Sequence, residues 1–290
     1  MKRLWLIILV GFVVLAWGNA FVAIKYLLEA QRLTAMGLTA LRHVPAAIVS
    51  LIILFAFYDR RSVMNCWKSE WKGIALYGIT GVLGYNLALN FGETRIAAGT
   101  ASLIVGLSPV LTLIAAGLAL KERITIRKAG GIALAFAGLF VVVKWGTGEA
   151  LDLGYLLGVL ITFGAPVSWA LYTIVGKPMV HRADPNIVTL SAIVWGSVPL
   201  AAFVPINSLG AMNTTGWAAL AFLTFVCTVF GFLVWSWALK KTEAARLGAV
   251  VYLIPLVTVL SEIAVSRTLP DLGLILGGAI LIAGVVIAET

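Results

Sequence analysis

Two proline-containing stretches carry small and polar residues at spacings that could form a binding surface. The prolines are preceded at intervals of three and four residues by Ser102 and Gly106 before Pro109, and by Gly248 and Tyr252 before Pro255. Such intervals place each set on one face of a helix. A helical proline also frees the backbone carbonyl four residues earlier, so these faces could bind a small polar solute. Kinking and close helix packing remain alternative roles for the same residues.

Amide and aromatic side chains inside other apolar runs could contribute to the same kind of binding. These residues, which lie away from the ends of their runs, are Asn19, Tyr85, Asn90, Trp169 and Tyr172. Tyrosine and tryptophan offer a stacking face with one polar group, which suits an amphipathic solute. We expect them to line a cavity, although each could equally serve packing alone.

Ionisable groups within apolar runs are few, and they are functional candidates because burying a charge in a membrane is costly. Arg42 and Glu262 both fall in the same half of the predicted bilayer. We therefore expect them to form a gate or a structural ion pair. The alternative is that Arg42 extends to the interface and Glu262 stays hydrated. The neighbouring His43 alone does not make a proton relay.

Composition places the chain among integral membrane proteins. Hydrophobic residues make up 61% and charged residues 11% of the sequence, with a mean hydropathy of +1.05. The net charge of +9 lies in short segments between apolar runs, which indicates membrane topology and not nucleic-acid binding. We expect no catalytic centre, because paired carboxylates, an activated nucleophile and a metal-ligand cluster are absent from the sequence. We also expect no metal and no cofactor.

Ten segments are apolar and long enough to cross the roughly 30 Å of a bilayer's hydrocarbon core. They are residues 4–26, 34–58, 72–92, 97–120, 127–146, 154–176, 185–206, 216–239, 246–266 and 271–288. The sequence thus predicts an all-α integral membrane protein with ten transmembrane helices.

The distribution of Lys and Arg predicts that both termini are cytoplasmic. With that orientation fifteen basic residues lie at the amino terminus or in the even-numbered connections, and four lie in the outer loops. Such a bias is typical of cytoplasmic loops. We accordingly expect a multi-pass protein of the cytoplasmic membrane.

A displacement of 146 residues superposes Pro109 on Pro255 and brings LSPVLTLIAAGLALKER into register with LIPLVTVLSEIAVSRTL. The chain is therefore predicted to contain two related units, residues 1–148 with spans one to five and residues 149–290 with spans six to ten. Because each unit has an odd number of spans, the second enters the membrane from the opposite side. Inverted repeats of this kind are common in secondary transporters.

Particular motifs carry a family resemblance. WGNAFVAIK in the first span, ALRHVPAAI in the second, and TRIAAGTASLIVGLSPVLT followed by LALKERIT in the fourth resemble the EamA repeat of the drug/metabolite transporter superfamily. The resemblance implies a fold of two inverted five-helix repeats. In the second unit Arg267-Thr268 replaces the Gly-Glu pair of the family pattern.

The resemblance further implies a secondary transporter that exports amino acids or related small metabolites by alternating access. The pattern is most similar to the aromatic amino-acid exporter branch, which would favour aromatic or large hydrophobic amino acids and could include threonine. A carrier of drugs, nucleosides or sugars and a channel remain alternatives. The expected partners are a small-molecule substrate and the lipid bilayer, without nucleic acid, in a monomer or weak homodimer.

Overall fold

The computed structural model describes residues 2–120, 125–145, 153–241, 253–267 and 269–289. All regular secondary structure in these ranges is helical. Eight helices, counting joined segments as one, are long and apolar enough to cross a membrane, and two shorter apolar helices accompany them near the carboxyl terminus. The ten-span, all-α membrane fold is therefore confirmed.

The spans of the first half are built from seven α-helices and a π-helical segment. They are α1 (Lys2–Glu29), α2 (Ala35–Phe57), α3 (Arg60–Gly78), the first π segment (Ile79–Gly84), α4 (Tyr85–Glu93), α5 (Ala98–Val105), α6 (Ser108–Leu120) and α7 (Ile126–Trp145).

The described part of the second half has six α-helices, two 3₁₀ segments and another π segment. They are α8 (Leu153–Arg182), α9 (Pro185–Ser197), 3₁₀ segments Val198–Phe203 and Ile206–Ala211, α10 (Thr214–Ala221), the second π segment (Phe222–Phe230), α11 (Gly231–Lys241), α12 (Leu253–Ser266) and α13 (Leu272–Glu289).

Side-chain caps fix where several helices begin, because they satisfy backbone N–H groups that lack a partner within the helix. Asp184 accepts hydrogen bonds from the amides of Asn186 and Ile187, and Pro185 occupies the first turn of α9. Asn213 accepts from the Gly216 amide at 2.8 Å before α10. The long uncharged stretch that holds spans seven and eight is thus divided by 3₁₀ segments and an asparagine cap.

The third span begins earlier than the hydropathy pattern predicts. Helix α3 starts at Arg60, whereas the apolar run starts at residue 72, and Glu70 leaves helical geometry with φ −118° and ψ 15°. The residues before this kink carry charged side chains on one face of the helix and apolar side chains on the other. A search for uninterrupted apolar runs does not detect such a helix. One of them, Trp67, donates its indole N–H to Ser191 of α9 at 2.7 Å.

The predicted fourth span, residues 97–120, is broken near its middle. Helix α5 ends at Val105, Gly106 and Leu107 form a turn, and α6 begins at Ser108. Pro109 is the second residue of α6, a position that tolerates proline because the first N–H groups of a helix need no intrahelical acceptor. The sequence places the proline in the interior of a span, and the chain accommodates it by starting a new helix.

Helices α7 and α13 meet along glycines. A Cβ atom added to Gly138 would contact the Leu281 backbone N, and one added to Gly284 would contact the backbone N of Ala135. The two backbones therefore approach as closely as small residues permit, which is a common way to join helices in a membrane. We call this contact the glycine seam.

Two large apolar clusters fill the rest of the bundle and meet at its centre. One is built mainly on α1 with its neighbours, and the other on α3, α8 and α9. Trp17 and Trp169 pack against both clusters. These tryptophans mark the place where the candidate site lies.

Candidate functional site

A cavity lies where α1, α2, α4, α8, α11 and α12 converge on the break in the fourth span. About 50 Å³ of it is open to water-sized molecules, which is room for a few waters. It is lined by Trp17, Ala20, Phe21, Ile24, Arg42, Tyr85, Asn86, Leu89, Val105, Ser108, Trp169, Phe232 and Ile254. The described part of the wall is largely apolar and carries one charged residue, Arg42.

Aromatic rings form one side of the cavity. The Trp17 and Trp169 ring centroids are 5.8 Å apart at an interplanar angle of 81°, and Tyr85 lies 5.6 Å from Trp169. Phe232 lies 6.1 Å from each tryptophan. These edge-to-face and tilted arrangements are favourable for ring pairs. They leave flat apolar surface next to the open space.

Arg42 is the charged residue of the wall, and only 5% of it is exposed. Its Nε donates to Thr228 Oγ1 at 2.8 Å. The Thr228 hydroxyl in turn donates to the Leu223 carbonyl at 2.9 Å, so its lone pair is turned towards Arg42. The two terminal guanidinium nitrogens donate to no acceptor among the described residues, which leaves them available to a ligand.

The π segments supply several of the polar groups around the cavity. The second π segment presents Thr228 to Arg42 and the Cys227 carbonyl to Trp17, whose Nε1 donates to it at 2.9 Å. The first π segment ends immediately before Tyr85 and Asn86. Wide helical turns alter the backbone hydrogen-bond register and are frequent at functional sites. Here the second π segment fixes the orientation of Trp17 and Arg42.

A polar cluster, the Lys25 cluster, lies at one end of the bundle and comprises Lys25, Glu29, Glu93, Gly99 and Glu262. Lys25 Nζ is 2.8 Å from Glu29 Oε1 and donates to the backbone carbonyls of Glu93 and Ile96 at 2.9 and 3.1 Å. Glu262 Oε2 accepts from the Gly99 amide at 2.9 Å. The cluster joins α1, α4, α5 and α12.

Several residues expected from the sequence meet at the cavity. Tyr85, Trp169 and Arg42 line it, and Gly106 occupies the turn between the lining residues Val105 and Ser108. A role for these residues in binding a solute stays a prediction.

Other expected residues lie elsewhere. Asn19 is exposed and bonds Ser261 of α12 at 3.0 Å. Asn90 is buried and donates to Thr39 of α2 at 2.8 Å, and Ser102 donates to the Gly99 carbonyl at 2.8 Å. Tyr172 stacks on Tyr77 with centroids 3.8 Å apart. Asn19, Asn90 and Tyr172 contact neighbouring helices, whereas Ser102 bonds within α5, and none of the four is part of the cavity lining.

The repeat-related face is only partly described. Pro109 is the second residue of α6. The carbonyl that it would free, that of Val105, accepts a hydrogen bond from the Ser108 hydroxyl at 2.6 Å. Pro255 lines a separate apolar groove of about 260 Å³ between α5, α12 and α13. Gly248 and Tyr252 lie outside the described residues. The free carbonyl expected at Val105 is thus occupied.

Arg42 and Glu262 form no ion pair with one another in this conformation. Arg42 is bound to Thr228 and Glu262 to the Gly99 amide, so the structure gives each side chain a different partner. Arg42 is turned inwards to the cavity, whereas Glu262 caps the start of α5, so a gate or an ion pair formed by the two stays a prediction.

Three residues of the cavity and of the Lys25 cluster were not singled out from the sequence. Trp17 and Phe232 line the cavity, and Glu93 is fully buried. A signal for Glu93 existed, because Asn86, Asn90 and Glu93 recur at intervals of four and three and so share a helix face. The tryptophan and the phenylalanine carry no comparable signal, since both types are common in lipid-facing positions.

No group of three or more metal-binding side chains occurs within the part of the chain that the structure describes. The groups that the cavity wall presents are a guanidinium, hydroxyl groups and aromatic surface. Such groups recognise small amphipathic molecules without changing their covalent structure.

Comparison with known proteins identifies related chains over nearly the whole length. An uncharacterized transporter of Archaeoglobus fulgidus is 34% identical over 96% of this chain and 97% of its own. A probable terminal-alkyne amino-acid exporter of Streptantibioticus cattleyicolor is 29% identical over 99% of this chain and 93% of its own. A crystal structure described only as that of a protein has the same fold, with a TM-score of 0.69 and 19% identity over 98% of this chain and 96% of the other.

The family comparison agrees with these relatives. The model of the EamA-like transporter family matches residues 4–144 and 156–290. Together with the helical fold and the central cavity, this match shows that the chain is a multi-pass membrane protein of the EamA-like transporter family.

Proposed function

We propose that this transporter exports aromatic or large hydrophobic amino acids, or closely related carboxylate metabolites, across the cytoplasmic membrane by alternating access. The cavity provides one cation and a surface of aromatic rings, which complement a carboxylate attached to an apolar side chain. The similarity to a probable terminal-alkyne amino-acid exporter supports the same substrate class.

The observation that carries the proposal is the setting of Arg42. Its Nε is held by Thr228, while its two terminal nitrogens have no acceptor among the described residues. A guanidinium with one edge fixed is preorganised to bind a carboxylate through two parallel hydrogen bonds. Burial strengthens the attraction between Arg42 and a carboxylate. It also makes the site less favourable when it is empty or holds a neutral ligand.

The aromatic wall would receive the side chain of the bound solute. Trp17, Trp169, Tyr85 and Phe232 present ring faces and edges next to Arg42. Among the described residues that line the cavity there is no carboxylate, so the amino group of the solute would depend on hydroxyl oxygens such as those of Tyr85 and Ser108. The carboxylate is therefore the group that recognition requires, and a cationic drug would be repelled by Arg42.

The small volume of the cavity fits a carrier in a closed conformation. A drug-sized ligand needs roughly 300 Å³ or more, well above the space of about 50 Å³ seen here. Binding must therefore be accompanied by separation of the lining helices. A conformational change of that kind is inherent in alternating access, whereas a channel would need a continuous open path.

The test is counterflow into proteoliposomes that contain an excess of unlabelled amino acid, with no ion gradient imposed. Labelled phenylalanine should accumulate transiently. Phenylalanine and phenyllactate should compete for its entry, whereas phenylalaninamide and a cationic drug should not, because they lack the carboxylate. Competition by threonine and tryptophan measures the preference for side-chain size.

Arg42→Gln should reduce phenylalanine counterflow by about tenfold or more, since a charged hydrogen bond contributes about 1.5–3 kcal/mol. The control is Arg95→Gln, which removes an exposed arginine that bonds only to Phe91 and Thr94. Equal inhibition by phenylalaninamide and phenylalanine, or full activity in Arg42→Gln, would contradict the proposed carboxylate site.

We further propose that residues 1–148 and 149–290 form inverted repeats and that both termini are cytoplasmic. The fifteen basic residues on one side of the predicted topology support this orientation. It places the Lys25 cluster near the outer surface and the ion pair between Arg182 and Glu70, at 2.8 Å, near the inner surface. A cysteine introduced at Arg95 should react with an impermeant thiol reagent in intact cells, and one introduced at Arg182 should not.

A further inference from the structure

Glu93, the last residue of α4, has a buried carboxyl group without a hydrogen-bond partner. Its exposed fraction is 0%, and neither Oε1 nor Oε2 has a hydrogen-bond partner among the described residues. The interaction with Lys25 in the Lys25 cluster is made by the Glu93 backbone carbonyl and not by the carboxyl group. A fully buried acid with two unsatisfied oxygens needs a physical explanation.

The cations around Glu93 are committed to other acceptors. An ammonium group has three donors, and those of Lys25 are directed to Glu29 and to the carbonyls of Glu93 and Ile96. Arg42 on α2 is bound to Thr228. Both cations act on Glu93 only through space.

The remaining titratable groups near Glu93 do not favour a negative charge there. Glu262 on α12 and Glu29 on α1 are carboxylates that repel it. His43, buried on α2, bonds the Thr39 carbonyl through Nδ1 at 3.0 Å and leaves Nε2 without a partner. Glu93 therefore receives no hydrogen bond from any of these groups.

An ionised carboxylate removed from water without donors is disfavoured by several kcal/mol, and taking up a proton removes that penalty. We propose that Glu93 is a proton-binding site that must be neutral when the outer end of the transporter closes. On closing, a proton from the outer water bonds to a carboxylate oxygen of Glu93. On opening, the rehydrated carboxyl returns that proton to the water. The inference goes beyond the proposed function, but its transport measurement and the location of Glu93 at the outer end rest on the function and orientation proposed above.

The first experiment detects the proton directly and needs no substrate. Infrared spectra of the purified protein in lipid at neutral pH should contain a carbonyl band of a protonated carboxylic acid. The band should be absent from Glu93→Gln and retained in Glu70→Gln, which removes a carboxylate ion-paired with Arg182. Glu93→Asp, a smaller acid, should restore a protonated-carboxyl band at a shifted frequency and provides a second variant if Glu93→Gln folds poorly. Identical spectra for the native protein and Glu93→Gln, or an unchanged band in Glu93→Asp, would overturn the proposal.

The second experiment measures phenylalanine exchange as a function of pH. Above the range in which an exposed carboxyl titrates, its protonated fraction falls tenfold for each pH unit. The native exchange rate should therefore decrease by about tenfold or more between about pH 6 and about pH 8. Glu93→Gln should vary by less than about twofold, and Glu70→Gln should follow the native profile. A flat native profile, or a native profile retained in Glu93→Gln, would overturn the proton link.

The two experiments fail independently. If no amino acid exchanges in the native protein or in any variant, the proposed substrate class is wrong. The infrared difference between the native protein and Glu93→Gln still decides whether Glu93 carries a proton.

Discussion

The glycine seam and the aromatic cavity are both contacts between membrane helices, but their side chains are of opposite size. In the seam, Gly138 and Gly284 let α7 and α13 approach until backbone meets backbone. At the cavity, Trp17 and Trp169 hold α1 and α8 apart. Small residues fill an interface completely, whereas large rings cannot fill all the space around them.

This difference in side-chain size predicts which substitutions affect protein stability and which affect recognition of the solute. The seam contributes close backbone contact and has no room for a solute, so changes there should act on folding. The cavity has rings, one guanidinium and unfilled space, so changes there should act on transport and on solute preference. Four substitutions test this division.

The largest effect is expected for Gly138→Val in the seam. Its Cβ would meet the Leu281 backbone, so α7 and α13 must separate, and overpacking of this kind costs about 1–3 kcal/mol or more. The yield of monodisperse protein should fall by about tenfold, as measured by size-exclusion chromatography after extraction. Gly130→Val on the same helix, where an added Cβ meets nothing within 4 Å, should be purified like the native protein. Normal yield for Gly138→Val would show that the seam is adaptable.

Thr228→Val should weaken transport without a comparable loss of folded protein. The substitution removes the acceptor that holds Arg42 Nε at 2.8 Å, and a hydrogen bond to a charged group contributes about 1.5–3 kcal/mol. The half-saturation concentration for phenylalanine should rise by about tenfold. Thr228→Ser keeps the hydroxyl and should remain within about threefold of the native value. Equal effects of valine and serine would show that the methyl group, and not the hydroxyl, matters.

Trp169→Phe should change the preference for side-chain size. The smaller ring enlarges the cavity next to Tyr85, so a larger solute gains contact area relative to a smaller one. About 1 kcal/mol per buried methylene predicts roughly a threefold to fivefold shift of competition in favour of tryptophan over phenylalanine. An unchanged ratio would place the solute side chain away from Trp169.

The smallest effect is expected for Glu70→Gln, which belongs to neither region. Its contact with Arg182 is an exposed ion pair, and exposed pairs contribute about 0–1 kcal/mol. Counterflow and the thermal unfolding midpoint should both stay close to the native values, with rates within about twofold. A large loss of transport would indicate that this pair closes the inner end.

The sequence was sufficient for the number and approximate ends of the spans, because hydropathy reports directly on burial in lipid. It was insufficient for the break at Gly106 and for both π segments. These features depend on which carbonyl each N–H reaches, and hydropathy carries no information on that choice. The amphipathic start of α3 was missed for a related reason, since its charged face interrupts the apolar run.

The sequence predicts the types of residue at the candidate site better than it predicts which individual residues line the cavity. Tyr85 and Trp169 were expected to face a cavity and do line one. Asn19 was expected at the same cavity, but it faces Ser261 instead. A helix that packs on several sides has more than one face that can hold a polar side chain. The inward direction of Arg42 depends on the Thr228 hydroxyl, a residue 186 positions away. A contact between such distant residues is not visible in a single sequence.

The break in the fourth span also determines how force passes through that span. A continuous helix behaves as a stiff rod, because its hydrogen bonds resist bending along the whole length. Helices α5 and α6 are separate rods joined at Gly106 and Leu107. The start of α5 is attached to Glu262 through Gly99, whereas α6 lies beyond the joint. A bend at Gly106 and Leu107 would therefore move α6 relative to α5 without breaking the hydrogen bonds within either helix.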